Sequence, residues 1–247
     1  MKKTINTIVL HRVVENDVVH FTDINVASLK FLLALCSQNV CSLDEAFLKD
    51  GDISRQVCLT FDDGNLSDFE RVLPLLLACN VRATFFIVTD FIGTPDYMDI
   101  CHIKELHRKG MQIGSHSVSH TNFLKLTKTQ RFLELQESKN VLEEITGSKI
   151  TSFSFPYGFF NKDCVKQVFE AGYSICCNSQ HGISSSTDLE VCRNSINAKT
   201  SMNRIRKIVN ANIFQRLLWY CEDHIKSIMK SHFSSIYIRL RNLLFKI

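Results

Sequence analysis

Short β-rich runs alternate with helical patterns along most of the chain, and this alternation constrains the fold more than any other feature of the sequence. Alternation of this kind is typical of parallel strands joined by crossover helices. Seven parallel strands can form an open doubly wound sheet or close into a barrel. The predicted strands are residues 5–10, 57–61, 83–88, 111–115, 151–155, 174–178 and 191–196, and the predicted helices are residues 26–36, 66–79, 100–109, 128–145 and 162–171.

Charge is distributed unevenly along the chain. The formal net charge of +4 divides into about −3 for residues 1–202 and about +7 for the rest, where nine Lys and Arg residues face only Glu222 and Asp223. The main part of the chain therefore lacks the basic excess of a nucleic-acid-binding protein. No glycine-rich phosphate motif follows a predicted strand. We expect neither a nucleic-acid partner nor a nucleotide site.

Cysteine usage and the first residues bear on the compartment. The ten cysteines are scattered without a CxxC pair, and most lie in apolar runs, where cysteine behaves as a small hydrophobe. This usage favours a reducing compartment. The basic amino-terminal segment has only residues 8–10 as a continuous apolar run, which is too short for a signal peptide. We therefore expect a cytoplasmic protein.

Polar residues that can do chemistry follow four of the predicted strands. Because the carboxyl ends of parallel strands meet at one edge of a sheet or barrel, we expect these residues to converge on one pocket. They are His11 after the first strand, Asp62 and Asp63 after the second, His116 and His120 after the fourth, and Tyr157 after the fifth.

Three of these side chains suit a divalent metal ion. His116 and His120 are four residues apart in HSVSH, close enough for both imidazoles to reach one ion if the segment turns after its strand. With the carboxylate of Asp63 they form a three-ligand set that leaves positions open for water and substrate. Asp62 can then accept the proton of the attacking water, with Gly64 supplying a bend between the two carboxylates. The alternative is a pair of surface histidines and an Asp-Gly surface turn.

Four segments, LTFDDG, ATFFIV, IGSHSVSH and FPYG, occur in this order, and with them the sequence resembles the polysaccharide deacetylase family of carbohydrate esterases. The similarity covers roughly residues 5–200. It implies an α/β fold, a distorted (β/α) barrel of about seven parallel strands. We expect a catalytic domain at residues 1–212 and a basic amphipathic helical tail at residues 213–247.

The resemblance also implies roles for individual residues. Asp62 would be the general base, and Asp63, His116 and His120 would bind a divalent metal, zinc first, with Co²⁺, Mn²⁺ and Ni²⁺ as alternatives. The backbone N–H of Tyr157 would donate to an oxyanion. On its residues alone, the PYG segment is more often a plain turn.

The sequence departs from the family pattern at two positions. Many members carry an arginine where this chain has Ser154, and Arg193 on a late strand is our candidate replacement; an ordinary solvated or ion-paired arginine is the alternative. A late Leu-x-His motif with the general-acid histidine is also missing. VLHRV at 9–13 is similar to the YHRV opening of members that act on surface polysaccharides, which makes His11 the candidate acid. A core histidine is the alternative reading of His11, and His181 is the reserve candidate.

The implied function is metal-dependent hydrolysis of an N- or O-linked acetyl group on a sugar of a polysaccharide or glycan intermediate. Two alternatives stay open: a deformylase acting on a lipid-linked amino sugar, and an inactive carbohydrate-binding homologue. The substrate partner would be a polysaccharide or a lipid-linked glycan. The basic tail could contact the inner face of a membrane peripherally, or could pack on the barrel with a solvated basic face.

Overall fold

The computed structural model describes residues 4–16, 18–48 and 55–232; the tail predicted beyond residue 232 lies outside the described residues. The strands are β1 (Thr4–Leu10), β2 (Val13–Val14), β3 (Ile24–Asn25), β4 (Val40–Cys41), β5 (Arg55–Phe61), β6 (Thr84–Ile87), β7 (Gln112–Ser115), β8 (Ser152–Ser154), β9 (Ile175–Cys177), β10 (Ser184–Ser185), β11 (Glu190–Val191) and β12 (Arg193–Ser195). The helices are α1 (Val26–Cys36), α2 (Leu43–Phe47), α3 (Leu73–Ala78), α4 (Ile100–Arg108), α5 (Lys128–Thr146), α6 (Lys162–Glu170), α7 (Met202–Asn210) and α8 (Ile213–His232).

Seven parallel strands form a barrel. β1, β5, β6, β7, β8 and β9 follow one another around it, and each neighbouring pair is parallel. The seventh strand is an extended segment interrupted at Cys192; its first part, β11, pairs with β9, and its second part, β12, pairs with β1. This segment joins the two edges of the sheet, so the carboxyl ends of the strands share one rim. The predicted distorted (β/α) barrel is confirmed.

Local sequence signals explain the helix boundaries. α5 begins after Thr127, whose hydroxyl accepts from the Gln130 backbone N–H while the Gln130 side chain returns to Thr127. The same helix ends at Gly147, which adopts a φ of 65°, a left-handed conformation that glycine reaches without strain. Large apolar side chains then fill the interior, as where the buried rings of Phe61 and Phe85 stack with centroids 5.0 Å apart.

The structure differs from the sequence-based prediction in the short strands β2, β3, β4 and β10, which were not predicted, and in three helical elements. The predicted helix at 66–79 contains a π turn at Asp68–Val72 before α3, in which the Leu73 N–H bonds to the Asp68 carbonyl five residues back. Pro74 has no N–H to donate and so cannot continue a regular ladder there. The short helices α2 and α7 were not predicted. α7 belongs to the barrel, because the Asn6 side chain on β1 donates to the Ile208 carbonyl at 2.8 Å.

Helix α8 lies at the start of the predicted tail and packs on the barrel. The side chains of Gln215 and Trp219 are buried, and the Trp219 ring stacks against His181. Among the helices of the described ranges, none combines the length and the hydropathy needed to cross a membrane. No disulfide joins any two cysteines within the described residues.

Candidate active site

Strand pairing brings the predicted site residues to one end of the barrel. The pairing of β1 with β5 continues past the strands, where the Asp62 N–H donates to the Leu10 carbonyl at 3.0 Å. The pairing of β6 with β7 continues in the same way, with the His116 N–H donating to the Ile87 carbonyl at 2.8 Å. The segments that carry His11, the two aspartates and the two histidines therefore leave the barrel at the same rim.

Asp63, His116 and His120 form a compact group of metal-ligating side chains. One ligand atom from each lies within 4.8 Å of the other two. Oδ1 of Asp63 is 3.6 Å from Nε2 of His116 and 3.4 Å from Nε2 of His120. Ligands around a tetrahedral ion with bonds of 2.0–2.1 Å are separated by about 3.3 Å. The buried Oδ1 of Asp63 accepts no hydrogen bond from the described residues. Because buried acceptors are normally paired, this oxygen fits the role of a cation ligand.

The hydrogen bonding and burial of the two histidines also fit a metal site. Nδ1 of His116 lies 2.8 Å from the carbonyl oxygen of Ser154, so Nδ1 donates this hydrogen bond and Nε2 is the ring nitrogen that faces the site. Burial lowers the pKa of His120 to about 4, with the nearby His116 as the next cause. His120 is therefore neutral at neutral pH. The residues present fit a divalent cation by number and type.

Asp62 is held by an arginine from the strand that closes the barrel. Nη1 of Arg193 donates to Oδ1 of Asp62 at 2.7 Å, and Nη2 donates to Oδ2 at 2.8 Å. The same Nη2 donates to the Ser154 hydroxyl at 2.8 Å, and Nε donates to the Asn178 carbonyl at 3.0 Å. Both charged side chains are buried. Arg193 thus reaches the base candidate beside Ser154, where many family members carry their arginine; its role in orienting the base stays a prediction.

The surroundings keep Asp62 ionised. Burial by itself favours the neutral acid, but the charges of Arg193 and then His116, together with the Arg193 hydrogen bonds, hold the pKa of Asp62 well below its usual range. Oδ2 of Asp62 lies 3.7 Å from Nε2 of His116, so the carboxylate borders the metal-ligating group without belonging to it. The two adjacent aspartates therefore occupy different environments.

The loops at the rim hold unusual backbone conformations. Asp63, Ser117, His120 and Tyr157 have φ values of 79°, 72°, 56° and 58°. Non-glycine residues in this region carry roughly 1–3 kcal/mol of strain each, and such residues cluster at functional sites. The predicted bend at Gly64 exists, with a φ of 78°, but it begins one residue earlier, at Asp63. This turn lets neighbouring carboxylates serve one pocket from a strand end, where successive side chains would otherwise point to opposite sides.

A carboxylate from α5 supports the histidine loop and was missed by sequence reasoning. Glu134 accepts the backbone N–H groups of Val118 and Ser119 at 2.9 and 3.0 Å. The Ser117 hydroxyl accepts the His120 N–H at 3.1 Å, which fixes the second ligand relative to the first. Nothing in the local pattern around Glu134 distinguishes it from the other glutamates of α5, because its role arises only when the helix packs beside the loop.

Aromatic rings border the metal-ligating group. The centroid of the His120 ring lies 4.4 Å from that of the Tyr157 ring and 6.0 Å from that of the Phe91 ring. Phe91 in turn packs on Tyr97, with ring centroids 4.6 Å apart. Tyr157 is 40% exposed and sits in a short turn, Pro156–Gly158. The role of its backbone N–H as an oxyanion donor stays a prediction.

The two candidate acids have different neighbours. His11, directly after β1, is half-buried, and its charge contributes to the pKa values of both Asp62 and His120. His181 is joined to α8 instead: its Nδ1 lies 2.9 Å from Oδ1 of Asp223, and its backbone N–H donates to Oδ2 of the same carboxylate at 2.7 Å. His11 is therefore the histidine that the electrostatics associate with the site, and its acid role stays a prediction.

Asp68, in the π turn, is a second residue that sequence reasoning missed. It is fully buried, and neither carboxylate oxygen accepts a well-formed hydrogen bond from a described residue, although the Asn65 N–H is close enough to lower its pKa slightly. Burial, followed by the charges of Asp63 and Asp62, raises the pKa of Asp68 well above its usual value. These surroundings favour the neutral acid form of Asp68.

The fold and the site together define a class: a (β/α) barrel whose strand ends bring an arginine-paired carboxylate beside an Asp-His-His group. The sequence profile of the family described as polysaccharide deacetylase matches residues 49–176, slightly more than half of the chain. The chain belongs to the polysaccharide deacetylase family.

Individual relatives are similar in sequence over about half of this chain. The YxkH protein of Bacillus subtilis is 28% identical over 129 residues, which are 52% of this chain and 46% of that protein. A chitin deacetylase of Arthroderma benhamiae is 29% identical over 123 residues, covering 49% of this chain and 33% of that protein. The chain thus spans less than half the length of these curated relatives.

Solved structures share the fold over most of the chain. The Streptococcus pyogenes deacetylase PplD, determined in complex with acetate, superposes with a TM-score of 0.75 and 17% identity. The alignment covers 85% of this chain and 99% of that one. At this identity the likeness concerns the barrel fold.

Proposed function

We propose that this chain is a metal-dependent deacetylase that hydrolyses an acetyl group from a sugar of a polysaccharide or glycan intermediate. The observation that carries the proposal is the division of labour between the adjacent aspartates. Asp62 is ionised and oriented by Arg193. Asp63 instead has a buried oxygen that accepts no hydrogen bond from a described residue and that faces His116 and His120. Family membership and the chitin deacetylase among the relatives support acetyl removal from an amino sugar.

In this proposal Asp63, His116 and His120 hold the cation, with Zn²⁺ favoured by two imidazoles and one carboxylate. When bound, the cation would supply Lewis acidity that acidifies water and polarises the acyl carbonyl, which suits a base as weak as Asp62. Asp62 accepts the proton of the attacking water, and Arg193 keeps its carboxylate ionised and aimed. The Tyr157 N–H donates to the developing oxyanion, and His11 protonates the departing sugar nitrogen or oxygen.

The test is metal analysis combined with product release. The purified protein is stripped with a chelator, reloaded separately with Zn²⁺, Co²⁺, Mn²⁺ or Ni²⁺, and incubated with N-acetylated, O-acetylated and N-formylated model glycans while free acetate and formate are measured. We expect acetate release that requires the metal. Formate release alone would instead support the deformylase, and a protein with neither bound metal nor product would support a carbohydrate-binding homologue.

Two matched variants separate the roles of the two aspartates. Asp62→Asn should retain the metal and lose turnover by about 10²–10⁴-fold, the range of a general base. Asp63→Asn should lower metal affinity by about a hundredfold or more, since weakening a supporting contact to a ligand already costs 10–100-fold. A fully active Asp62→Asn protein would remove Asp62 from the base role, and an Asp63→Asn protein with undiminished metal affinity would remove Asp63 from the ligand set.

A further inference from the structure

Helix α8 is held on the barrel by one face. Gln215 and Trp219 are 3% and 2% exposed. The Asp223 carboxylate accepts from the His181 backbone N–H at 2.7 Å, and Glu222 pairs with Arg204 of α7 at 2.6 Å. Contacts from several positions on this face fix the rotation of the helix and therefore what its other face presents.

The opposite face of α8 is apolar and exposed. Phe214, Leu217 and Leu218 are 74%, 58% and 51% exposed, and Cys221 is exposed as well. Positions spaced by three and four residues lie on one side of a helix, so these side chains form a continuous stripe. Tyr220, which is 72% exposed, lies beside it. An exposed apolar stripe of this kind on a folded helix marks an interaction surface.

Basic side chains are concentrated in the same part of the chain. Lys207 is exposed on α7 and Arg216 is exposed on α8 itself, and Arg206, also exposed, stacks on the Phe31 ring of α1. After residue 224 the sequence has five more Lys and Arg residues and no Asp or Glu. The stripe therefore lies in a strongly cationic part of the chain, whereas residues 1–202 carry about −3.

We propose that α8 binds the surface of an anionic lipid bilayer, with Phe214, Leu217 and Leu218 inserted among the headgroups and the cationic residues of this part of the chain against the lipid phosphates. Apolar insertion and attraction to anionic lipid act together in interfacial helices. The charge decides between this partner and a second copy of the chain, because pairing two copies through α8 would bring together two segments that each carry about +7. The inference is independent of the proposed function.

Vesicle flotation of the full chain tests the proposal. The protein is mixed with vesicles of phosphatidylcholine alone, or with vesicles containing about one third phosphatidylglycerol. We expect flotation with the anionic vesicles, and weaker flotation as salt rises from about 0.1 M to about 1 M, because the Debye length falls from about 10 Å to about 3 Å. L217S/L218S should lower the partition coefficient by about tenfold, since two inserted apolar side chains are lost.

A matched control and a charge variant complete the design. F132S/L133S replaces two side chains of α5 that are 42% and 47% exposed, and it should float like the parent. R206Q/K207Q removes two of the nine cations of residues 203–247 and should weaken both the affinity for anionic vesicles and its salt dependence. Circular dichroism and the unfolding midpoint show that each variant is folded.

Several results would overturn the proposal. One is a parent protein that does not float with either vesicle, and another is an L217S/L218S variant that floats as well as the parent. A parent dimer that this variant converts to monomer, without vesicle binding, would show that a second copy covers the stripe. Flotation of a chain ending at His232, but not of the full chain, would show that residues 233–247 cover it.

Discussion

The surroundings of Asp62 and Asp63 differ although the two residues are adjacent. The Asp62 carboxylate receives two hydrogen bonds from Arg193 and is 3% exposed, so its partners are supplied by the barrel itself. The Asp63 Oδ1 is buried with no hydrogen-bond partner among the described residues and faces two imidazoles. A buried acceptor of this kind is costly unless something binds it. The difference teaches that folding alone completes the hydrogen bonds of one carboxylate, whereas the other keeps a buried oxygen available for the proposed cation.

Substitution of Arg193 tests whether this side chain compensates the buried charge of Asp62. Arg193→Ser leaves a buried carboxylate without its cation, which should lower the free energy of unfolding by about 3–5 kcal/mol. The double variant Asp62→Asn/Arg193→Met removes both charges and should cost clearly less than Arg193→Ser alone. Urea unfolding of the chelator-treated proteins measures both. The prediction fails if the double variant loses at least as much stability as the single one.

Two further variants serve as controls for Arg193. Arg82→Ser breaks an ion pair with Glu45 in which the Arg82 side chain is 56% exposed, and it should cost no more than about 1 kcal/mol. Ser154→Arg added to Arg193→Ser offers the cation from the strand that supplies it in many family members. Partial recovery of turnover in that double variant would identify Arg193 as a positioning residue; a barrel that is stable but no more active would assign it a structural role only.

Sequence reasoning recovered much of this site because its signals are local. The two aspartates, both ligand histidines and the strands that carry them are contiguous motifs, and parallel topology alone requires their convergence. Arg193 was the candidate replacement for the family arginine, but the sequence alone could not exclude an ordinary ion-paired arginine, since its partner is 131 residues away in the chain. Glu134 and Asp68 were missed, because a loop anchor and a buried neutral acid depend on packing between elements. The exposure of the apolar stripe on α8 was not predicted, because the mixed apolar and basic composition of residues 213–247 fits either a buried or an exposed apolar face.

The Asp63 side of the comparison predicts a pH dependence of the metal-free protein. The pKa of His120 is lowered to about 4 in the folded chain, whereas an unfolded histidine titrates near 6.5. Between these values the unfolded chain binds the extra proton, so stability is lost as pH falls from about 6.5 towards 4, by about 3 kcal/mol. Urea unfolding in chelator at several pH values should show this loss.

Variants assign this pH dependence to a residue. His120→Gln should flatten the profile between about pH 6.5 and 4, whereas His20→Gln, at an exposed histidine, should leave the parental slope. If His120→Gln keeps the full slope, another group is responsible, and the neutral ligand inferred at this position loses its support.

The smallest expected effect on stability is at Asp68, whose raised pKa depends in part on the charges of Asp63 and Asp62. Its pKa is raised, so the folded chain keeps a proton that the unfolded chain releases above about pH 3.9, and stability falls as pH rises through that window. Asp68→Asn removes this penalty and should stabilise the metal-free protein by about 1 kcal/mol at pH 8, and by less near pH 4.

Asp90→Asn, at an exposed carboxylate on the same rim, is the matched control and should have no pH-dependent effect. Because the charges of Asp63 and Asp62 contribute to the shift, loading the metal should reduce the gain. A gain that is equal with and without metal would show that burial alone sets the state of Asp68, and that the two aspartates in front of it do not act on it.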